Sequence, residues 1–312
     1  MSTAVGNAPV VQFAPTPSQL RVAYSVCRSI ARGAAKNFYY GFVVLPHRKR
    51  DALSAVYAFM RRCDDIADDE RLSHHERQAK LAEWLDKVHR ALAGQPTDDA
   101  VLLALTDAQR RYQIPVGLLD ELAYGTGSDV EPDGAAAAVT AGPVARYQTF
   151  DDLRRYCYGV ASVVGLVCIR IFGYRDPAAE SLAERCGLAF QLTNIIRDVQ
   201  EDAAMGRVYF PVEDLMQFGL TASEFASPDL NRMRPLLAME AERAREFYRA
   251  GEELIPLVNE DSQPGLWVLV TIYRRLLEKI ATRQYDVFSE RVHLTIPEKL
   301  RVLTQGYLKR ML

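Results

Sequence analysis

The amino-acid sequence predicts an all-α protein with one helical domain. Three observations carry that expectation. Apolar residues recur at helical spacing along most of the chain, Pro and Gly fall between these periodic segments rather than at the short, regular intervals of strand turns, and no run reads as a convincing β-strand. A length of 312 residues permits two domains without forcing a split. With 49% hydrophobic and 25% charged residues, the chain has ample material for one large core.

Taken in order, residues 1–20 lack both a basic n-region and an apolar h-region, so they read as a mobile tail rather than a secretory signal, and residues 21–312 read as the domain. The amphipathic stretch 18–34 makes the first helix, overlapping the end of the tail. Leu45-Pro46 forms a turn, and residues 47–70 run on as one helix. Further helices span 75–93, 100–112 and 116–124. Residues 125–142, with Asp133-Gly134 and the alanines 135–138, form the longest irregular connection, although four alanines could make a helical turn. Helices over 150–172 and 178–202 follow, and segments 233–257, 265–284 and 297–311 complete the architecture.

Composition excludes several functions. A formal net charge of −2 gives no general field for polyanions, and no Lys/Arg block interleaves with aromatics, so nucleic acid is not an expected partner. The five cysteines have no CxxC spacing and sit in apolar stretches, so they read as buried hydrophobes of a protein from a reducing cytoplasm. The longest apolar segment, around residues 159–169, is about half of the ~20 residues that span a bilayer, so no transmembrane anchor is expected. An apolar substrate could still bring the protein to a membrane surface. The five histidines have no zinc-ligand spacing, and neither GxGxxG nor GxxxxGK[ST] occurs.

Chemistry concentrates in two acidic runs about 130 residues apart, Asp64-Asp65-Ile66-Ala67-Asp68-Asp69 and Asn194 to Asp202. Residues four apart stack on one helix face, so Asp64 and Asp68 project together, as do Asn194, Asp198 and Asp202. Such ladders repel themselves unless a cation intervenes, and oxygen-only ligation suits Mg²⁺ shared with a substrate phosphate. For a lone charged run the ordinary explanation is an exposed helix laced with i,i+4 ion pairs. Here the preceding Leu53, Val56, Tyr57, Phe59 and Met60 are too apolar for a helix solvated all round, and Asp65 and Asp69 add unbalanced charge. One face carries Tyr57, Arg61, Asp64 and Asp68. In the second run Gln191, Asn194, Asp198 and Asp202 make one polar stripe on an otherwise apolar helix, as expected of residues lining an internal pocket. Arg197 and Arg207 could grip phosphate oxygens with planar guanidinium forks, and Arg207 is equally well explained as a surface charge. Gly159 and Gly165 thin an apolar helix that begins at Tyr156, leaving room for either a ligand or a close neighbouring helix.

Together these residues resemble the squalene and phytoene synthase family over about residues 28–303. The resemblance rests on Tyr57-Ala58-Phe59-Met60-Arg61 leading into Asp64-Asp65-Ile66-Ala67-Asp68, on residues 156–165, on Gln191 to Asp198 with Glu201-Asp202, and on Gly206-Arg207-Val208-Tyr209. It implies the isoprenoid synthase fold, with the acidic helices facing each other across a central cavity, and a prenyltransferase that joins two prenyl diphosphates through a cyclopropylcarbinyl diphosphate. By the same resemblance Asp64, Asp68, Asn194, Asp198 and Asp202 would hold Mg²⁺, for which Mn²⁺ may substitute. Arg61, Gln191, Arg197, Arg207 and Arg291 would bind diphosphate, and Tyr57, Tyr156, Tyr209 and Tyr273 would line the reacting centre. Phe38, Phe42, Val160 and Gly165 would shape the chain-length pocket. The sequence departs from the family at Ala34-Ala35-Lys36-Asn37, where serines are common, so Asn37 or Lys36 would have to hold the first diphosphate. Phe42 matches a position that is bulky in C15-using relatives, and residues 291–300 are similar to bacterial presqualene diphosphate synthases. The expectation is therefore condensation of two farnesyl diphosphates to presqualene diphosphate. Onward reduction to squalene with NADPH stays open, and the missing nucleotide fingerprint favours no reductant. The alternatives are a phytoene synthase using geranylgeranyl diphosphate and a non-catalytic partner within a prenyl-enzyme complex.

Overall fold

The computed structural model describes residues 14–34, 36–69, 71–127 and 142–311. Among these, α1 (Pro17–Ala34) and α2 (Lys36–Val43) lead into α3 (His47–Ala67), α4 (His74–Leu92), α5 (Ala100–Tyr112) and α6 (Val116–Gly127). Next, α7 (Phe150–Cys157) passes through a π-turn (Tyr158–Ser162) into α8 (Val163–Phe172), and α9 (Ala178–Ala204) follows. The chain ends with α10 (Val212–Gln217), α11 (Leu230–Leu254), α12 (Gln263–Thr282) and α13 (Ile296–Met311). Local chemistry sets several starts. Ser73 and Glu76 form a reciprocal capping box on α4, Thr149 and Asp152 do the same on α7, and the Asp99 carboxylate accepts from the first amides of α5.

Several elements differ from the sequence reading, and four of the differences stand out. The first helix begins at Pro17, because Thr16 and Gln19 exchange side-chain and backbone hydrogen bonds there, so residues 17–20 are helical rather than tail. Helix α3 ends at Ala67 instead of residue 70, with Asp68 as its C-cap at φ −91° and ψ 2°. Further acidic residues would load the negative end of the helix dipole, and no basic residue occupies the last turn. Helix α6 extends to Gly127. The fourth difference is a two-residue parallel pair, β1 (Val144–Ala145) with β2 (Arg207–Val208), too short to show alternation in the sequence. Residues 1–13 and 128–141, which hold most of the expected tail and irregular connection, lie outside the described residues.

Helix α9 is the structural axis. Its buried Leu188, Ala189, Leu192, Ile195, Ile196 and Val199 pack against α11, the π-turn, α8 and α12. Close approach requires glycine at particular crossings. A Cβ on Gly187 would stand 2.6 Å from the Ala161 carbonyl oxygen, and one on Gly165 would stand 2.7 Å from that of Ala183. The composite helix Phe150–Phe172 is 23 residues long and, by length and composition, apolar enough to cross a membrane, so the sequence reading of a half-length segment is corrected. In the fold Leu153, Cys157, Val163, Val167 and Ile171 are buried among neighbouring helices.

One buried ionic cluster makes stability depend on pH. Arg243 lies 4.1 Å from the Phe150 ring centroid, donates to both Asp214 oxygens at 2.7 and 3.0 Å, and donates to Glu240 Oε1 at 2.9 Å. Burial raises the Glu240 carboxyl from 4.5 to about 8, with Arg243 opposing and the Asp214 charge reinforcing the shift. The folded state therefore keeps a proton that the unfolded chain releases, and stability falls as pH rises from about 4.5 towards 8. Glu240→Gln should flatten this slope, so that urea midpoints of variant and parent diverge in the variant's favour from about pH 5 to about pH 8.5. Parallel pH profiles would show that Glu240 is ionised throughout.

Candidate active site

Helices α3, α8, α9 and α12 enclose a blind apolar cavity of about 270 Å³. Leu53, Val56, Tyr57 and Met60 recur at helical spacing on α3, and Ala183, Cys186, Gly187, Phe190, Gln191 and Asn194 do so on α9. From Ala183 to Asn194 the α9 wall runs about 16 Å at 1.5 Å per residue. Phe172, Leu254, Leu266 and Leu269 also line the cavity. Phe38, Phe42, Val160 and Gly165, expected in a chain-length pocket, all belong to its wall. Phe42 is 1% exposed and meets Phe38 edge-on at 5.4 Å. Gly165 serves the α8–α9 contact as well, which resolves the open choice between ligand space and packing in favour of both. At Gly159 the close crossing makes its demand on the neighbour: a Cβ on Gly125 would lie 2.2 Å from the Gly159 carbonyl oxygen, whereas one on Gly159 would meet Gly125 at an ordinary 3.4 Å. Cys168 and Cys186 also face the cavity, their thiols pushed up to about 12 by burial.

A second cavity, of about 1160 Å³, adjoins the first, because Asn194 and Tyr273 line both. Its walls include Arg32, Arg61, Arg197, Arg291, His293 and Lys299. An apolar pocket therefore meets a cationic mouth. At the junction Tyr273 stacks on Phe190 with centroids 4.4 Å apart and planes 9° apart. Burial chiefly raises the Tyr273 hydroxyl, while Arg197 opposes and Asp198 adds to the shift. Tyr57 is raised by burial first and then by the Asp64 charge.

The two ladders differ in how they are held. Arg61 pairs with Asp65 at 2.5 Å, and Arg71 grips Asp69 at 2.7 and 2.8 Å, holding that half-buried carboxyl near 2. The sequence reading left these two acids unbalanced, and the structure corrects it. Asp64 is half-buried and Asp68, at the helix end, is exposed. On α9, Asp198 accepts from Arg197 Nε at 2.6 Å and from Arg291 Nη2 at 2.8 Å and Nε at 3.0 Å. Asn194 Nδ2 donates to Gln191 Oε1 at 3.3 Å, whereas Asn194 Oδ1 is buried with no hydrogen-bond partner. Among the described residues no three His, Cys, Asp or Glu side chains are grouped closely enough to cage a metal. The donors nevertheless fit a magnesium ion that would take most of its ligands from phosphate and water, and Asn194, whose amide oxygen is an unpartnered hard donor, lines the mouth.

Some expected residues stand apart from this junction. Tyr156 lines a third cavity, of about 660 Å³, with Glu121, Arg146, Arg155 and Tyr158. Tyr209 is buried and stacks on Tyr156 at 5.3 Å and on Tyr147 at 6.3 Å. The π-turn is the physical cause. The Val163 amide bonds the Tyr158 carbonyl five residues back, an extra residue per turn that swings Tyr156 away from the face presented by Val160 and Val164. Asp64, Asp68, Asp198, Asp202 and Arg207 line none of these three cavities, although Asp198 is paired with Arg197 and Arg291 of the mouth wall. The substituted positions 34–37 fall outside the described side chains. Sequence reasoning missed Arg32, His293 and Lys299 at the mouth. Lys299, eight residues beyond Arg291 and facing the Tyr40 ring at 5.4 Å, had only that spacing as a signal.

A shell of helices around an apolar pocket, with acidic helix ends and a cationic mouth, defines an isoprenoid synthase. Residues 31–298 match the family model described as squalene/phytoene synthase. A phytoene synthase of Mycobacterium tuberculosis is 36% identical over 91% of this chain and 90% of its own length. A phytoene synthase of Arthrospira platensis is 32% identical over 94% and 95%. Among solved structures, a dehydrosqualene synthase in complex with ligand superposes with a TM-score of 0.81 at 29% identity, covering 94% of this chain and 98% of that one. A squalene synthase from Alicyclobacillus acidocaldarius gives 0.75 at 28% identity, covering 86% and 97%. The chain belongs to the squalene/phytoene synthase family, prenyltransferases that join prenyl diphosphates head to head.

Proposed function

We propose that this protein is a phytoene synthase, condensing two molecules of geranylgeranyl diphosphate. The observation that carries this reading is the junction at Asn194 and Tyr273, where an apolar pocket for a prenyl chain opens into a mouth lined by arginines suited to diphosphate. Curated relatives that are phytoene synthases favour the C20 substrate over the C15 one expected from the sequence. In the first step a C–O bond to one diphosphate breaks, carbon bonds form to the second substrate, and a proton leaves with diphosphate to give a cyclopropylcarbinyl diphosphate. In the second step loss of the remaining diphosphate and another proton gives the C40 polyene, with no reductant.

Arg61, Arg197 and Arg291, which line the mouth, hold and orient diphosphate oxygens through charge-assisted hydrogen bonds, with Gln191 at the pocket end. Asp64, Asp68, Asn194, Asp198 and Asp202 would hold Mg²⁺, which would neutralise the diphosphate charge. Tyr57 and Tyr273 present aromatic faces to allylic cations, each worth about 0.5–2 kcal/mol in a dry site. The apolar pocket keeps water from quenching the cation.

A second reading keeps the chemistry and shortens the substrate. It is favoured by the buried Phe42 ring in the pocket wall, and it gives presqualene diphosphate from two farnesyl diphosphates. Incubating purified protein with Mg²⁺ and either diphosphate, with and without NADPH, decides between them by mass spectrometry after phosphatase treatment. A C40 hydrocarbon from the C20 substrate without NADPH is expected. A C30 alcohol from the C15 substrate alone would replace it with the second reading, and no condensation from either would overturn both.

A further inference from the structure

The inner end of the apolar cavity is a thin septum. Asn194 and Tyr273 mark the mouth end, and the wall runs back about 16 Å along α9 to Ala183 and about 10 Å along α12 to Leu266. At that depth Phe172 at the end of α8, Leu254 at the end of α11 and Leu266 near the start of α12 line the cavity. The same three segments also line a basin of about 620 Å³ on the outer surface, through Arg175, Pro256, Leu257 and Gln263. Inside and outside are thus only two or three residues apart on each segment.

One ammonium ties these segments together. Lys49, in the first turn of α3, has a side chain only 12% exposed. It donates to the Phe172 carbonyl at 2.7 Å, to Asp261 Oδ1 at 2.6 Å and to Ser262 Oγ at 2.9 Å, which uses all three of its protons. Ser262 is fully buried, and its hydroxyl donates to the same Phe172 carbonyl at 3.0 Å. The seam continues where the Asn259 amide donates to the Gly173 carbonyl at 2.8 Å and Tyr174 bridges to Val258. We propose that Lys49 is a positioning residue for chain length: it holds the septum shut and so fixes where a prenyl chain must stop, while itself lining no part of the cavity. The proposal rests on the proposed function for its reading of the cavity as the prenyl site. Without the ammonium, the end of α8 is freed from the connection between α11 and α12. The septum can then part towards the basin, where Pro256, Leu257 and Val258 offer apolar surface to the tip of a longer chain.

Prenyl thiodiphosphates, in which sulfur replaces the bridging oxygen and ionisation is slow, report binding without turnover. Dissociation constants of the C15, C20 and C25 analogues are measured with Mg²⁺ for the parent, Lys49→Met and Asp261→Ala. The parent should bind C20 best and C25 at least about tenfold more weakly. Lys49→Met, which keeps the length of the side chain and drops the ammonium, should narrow that gap at least about tenfold, with its C20 affinity within about twofold of the parent's. Asp261→Ala, which removes the more exposed partner, should narrow the gap about threefold, and it decides the matter if Lys49→Met does not fold. A knot that served stability alone would lower the melting temperature and leave the ratio of C25 to C20 affinity unchanged. That result would overturn the proposal, as would a parent that binds C25 as tightly as C20. Binding of no analogue by the parent would overturn the proposed function and this inference with it. A parent optimum at C15 that moves to C20 in Lys49→Met would change the substrate and uphold the septum.

Discussion

Asp198→Asn is expected to lower kcat by about 10²–10³-fold while leaving the fold intact. Asp198 lies where the polar stripe of α9 meets the mouth, and it is held by Arg197 and Arg291. If its task were only to position those arginines, asparagine would still accept one hydrogen bond and the loss would be modest. If it is a hard-oxygen ligand of a cation shared with diphosphate, removing the charge weakens metal and substrate together. The Mg²⁺ concentration for half-maximal rate should therefore rise at least about tenfold in the variant. Asp64→Asn should behave alike, since Asp64 is the corresponding half-buried acid of the α3 ladder. Near-parental rates and an unchanged Mg²⁺ requirement in both variants would remove the metal assignment. Unfolding should shift by about 1–3 kcal/mol, because Arg197 and Asp198 are mostly buried and asparagine keeps one of the arginine hydrogen bonds.

The second large effect lies in the pocket. Phe42→Ala deletes a fully buried ring that packs edge-on against Phe38 at 5.4 Å and Tyr39 at 6.5 Å. A loss of about 3–5 kcal/mol in stability is expected. The space left adjoins the apolar cavity, so the variant should also gain at least about tenfold in preference for a diphosphate one isoprene unit longer than the parent's substrate. Competition between consecutive chain lengths, read as a ratio of kcat/KM, measures this. An unchanged ratio with lowered stability would place the length limit elsewhere on the wall, at Phe172, Leu254 and Leu266.

Much of this site was legible because its parts lie at fixed spacing on single helices. Tyr57, Arg61 and Asp64 on α3, and Gln191, Asn194 and Asp198 on α9, need only a pitch of 3.6 residues to be read as faces. What escaped depended on departures from that pitch or on contacts between distant segments. The direction of Tyr156 could not be read, because a single π-turn after it changes the phase and apolar residues occur on every side of that helix. Arg32 and Lys299 meet at one mouth from opposite ends of the chain, and each alone is an ordinary charge on an amphipathic helix. The six-residue α10 was too short for periodicity to register. The boundary at Ala67 was set by electrostatics at a helix end, which a hydrophobic pattern does not record.

The two cysteines in the pocket wall have a chemical consequence. A prenyl diphosphate is an alkylating agent, and its allylic cation more so; a thiolate within reach would capture it and leave a dead thioether on the protein. Burial pushes Cys168 and Cys186 up to about 12, so neither thiol is appreciably ionised at neutral pH. The wall thus contains sulfur that packs as softly as a hydrocarbon yet does not compete with the second substrate for the electrophile, and the low dielectric that shelters the cation is also what disarms the nucleophile beside it.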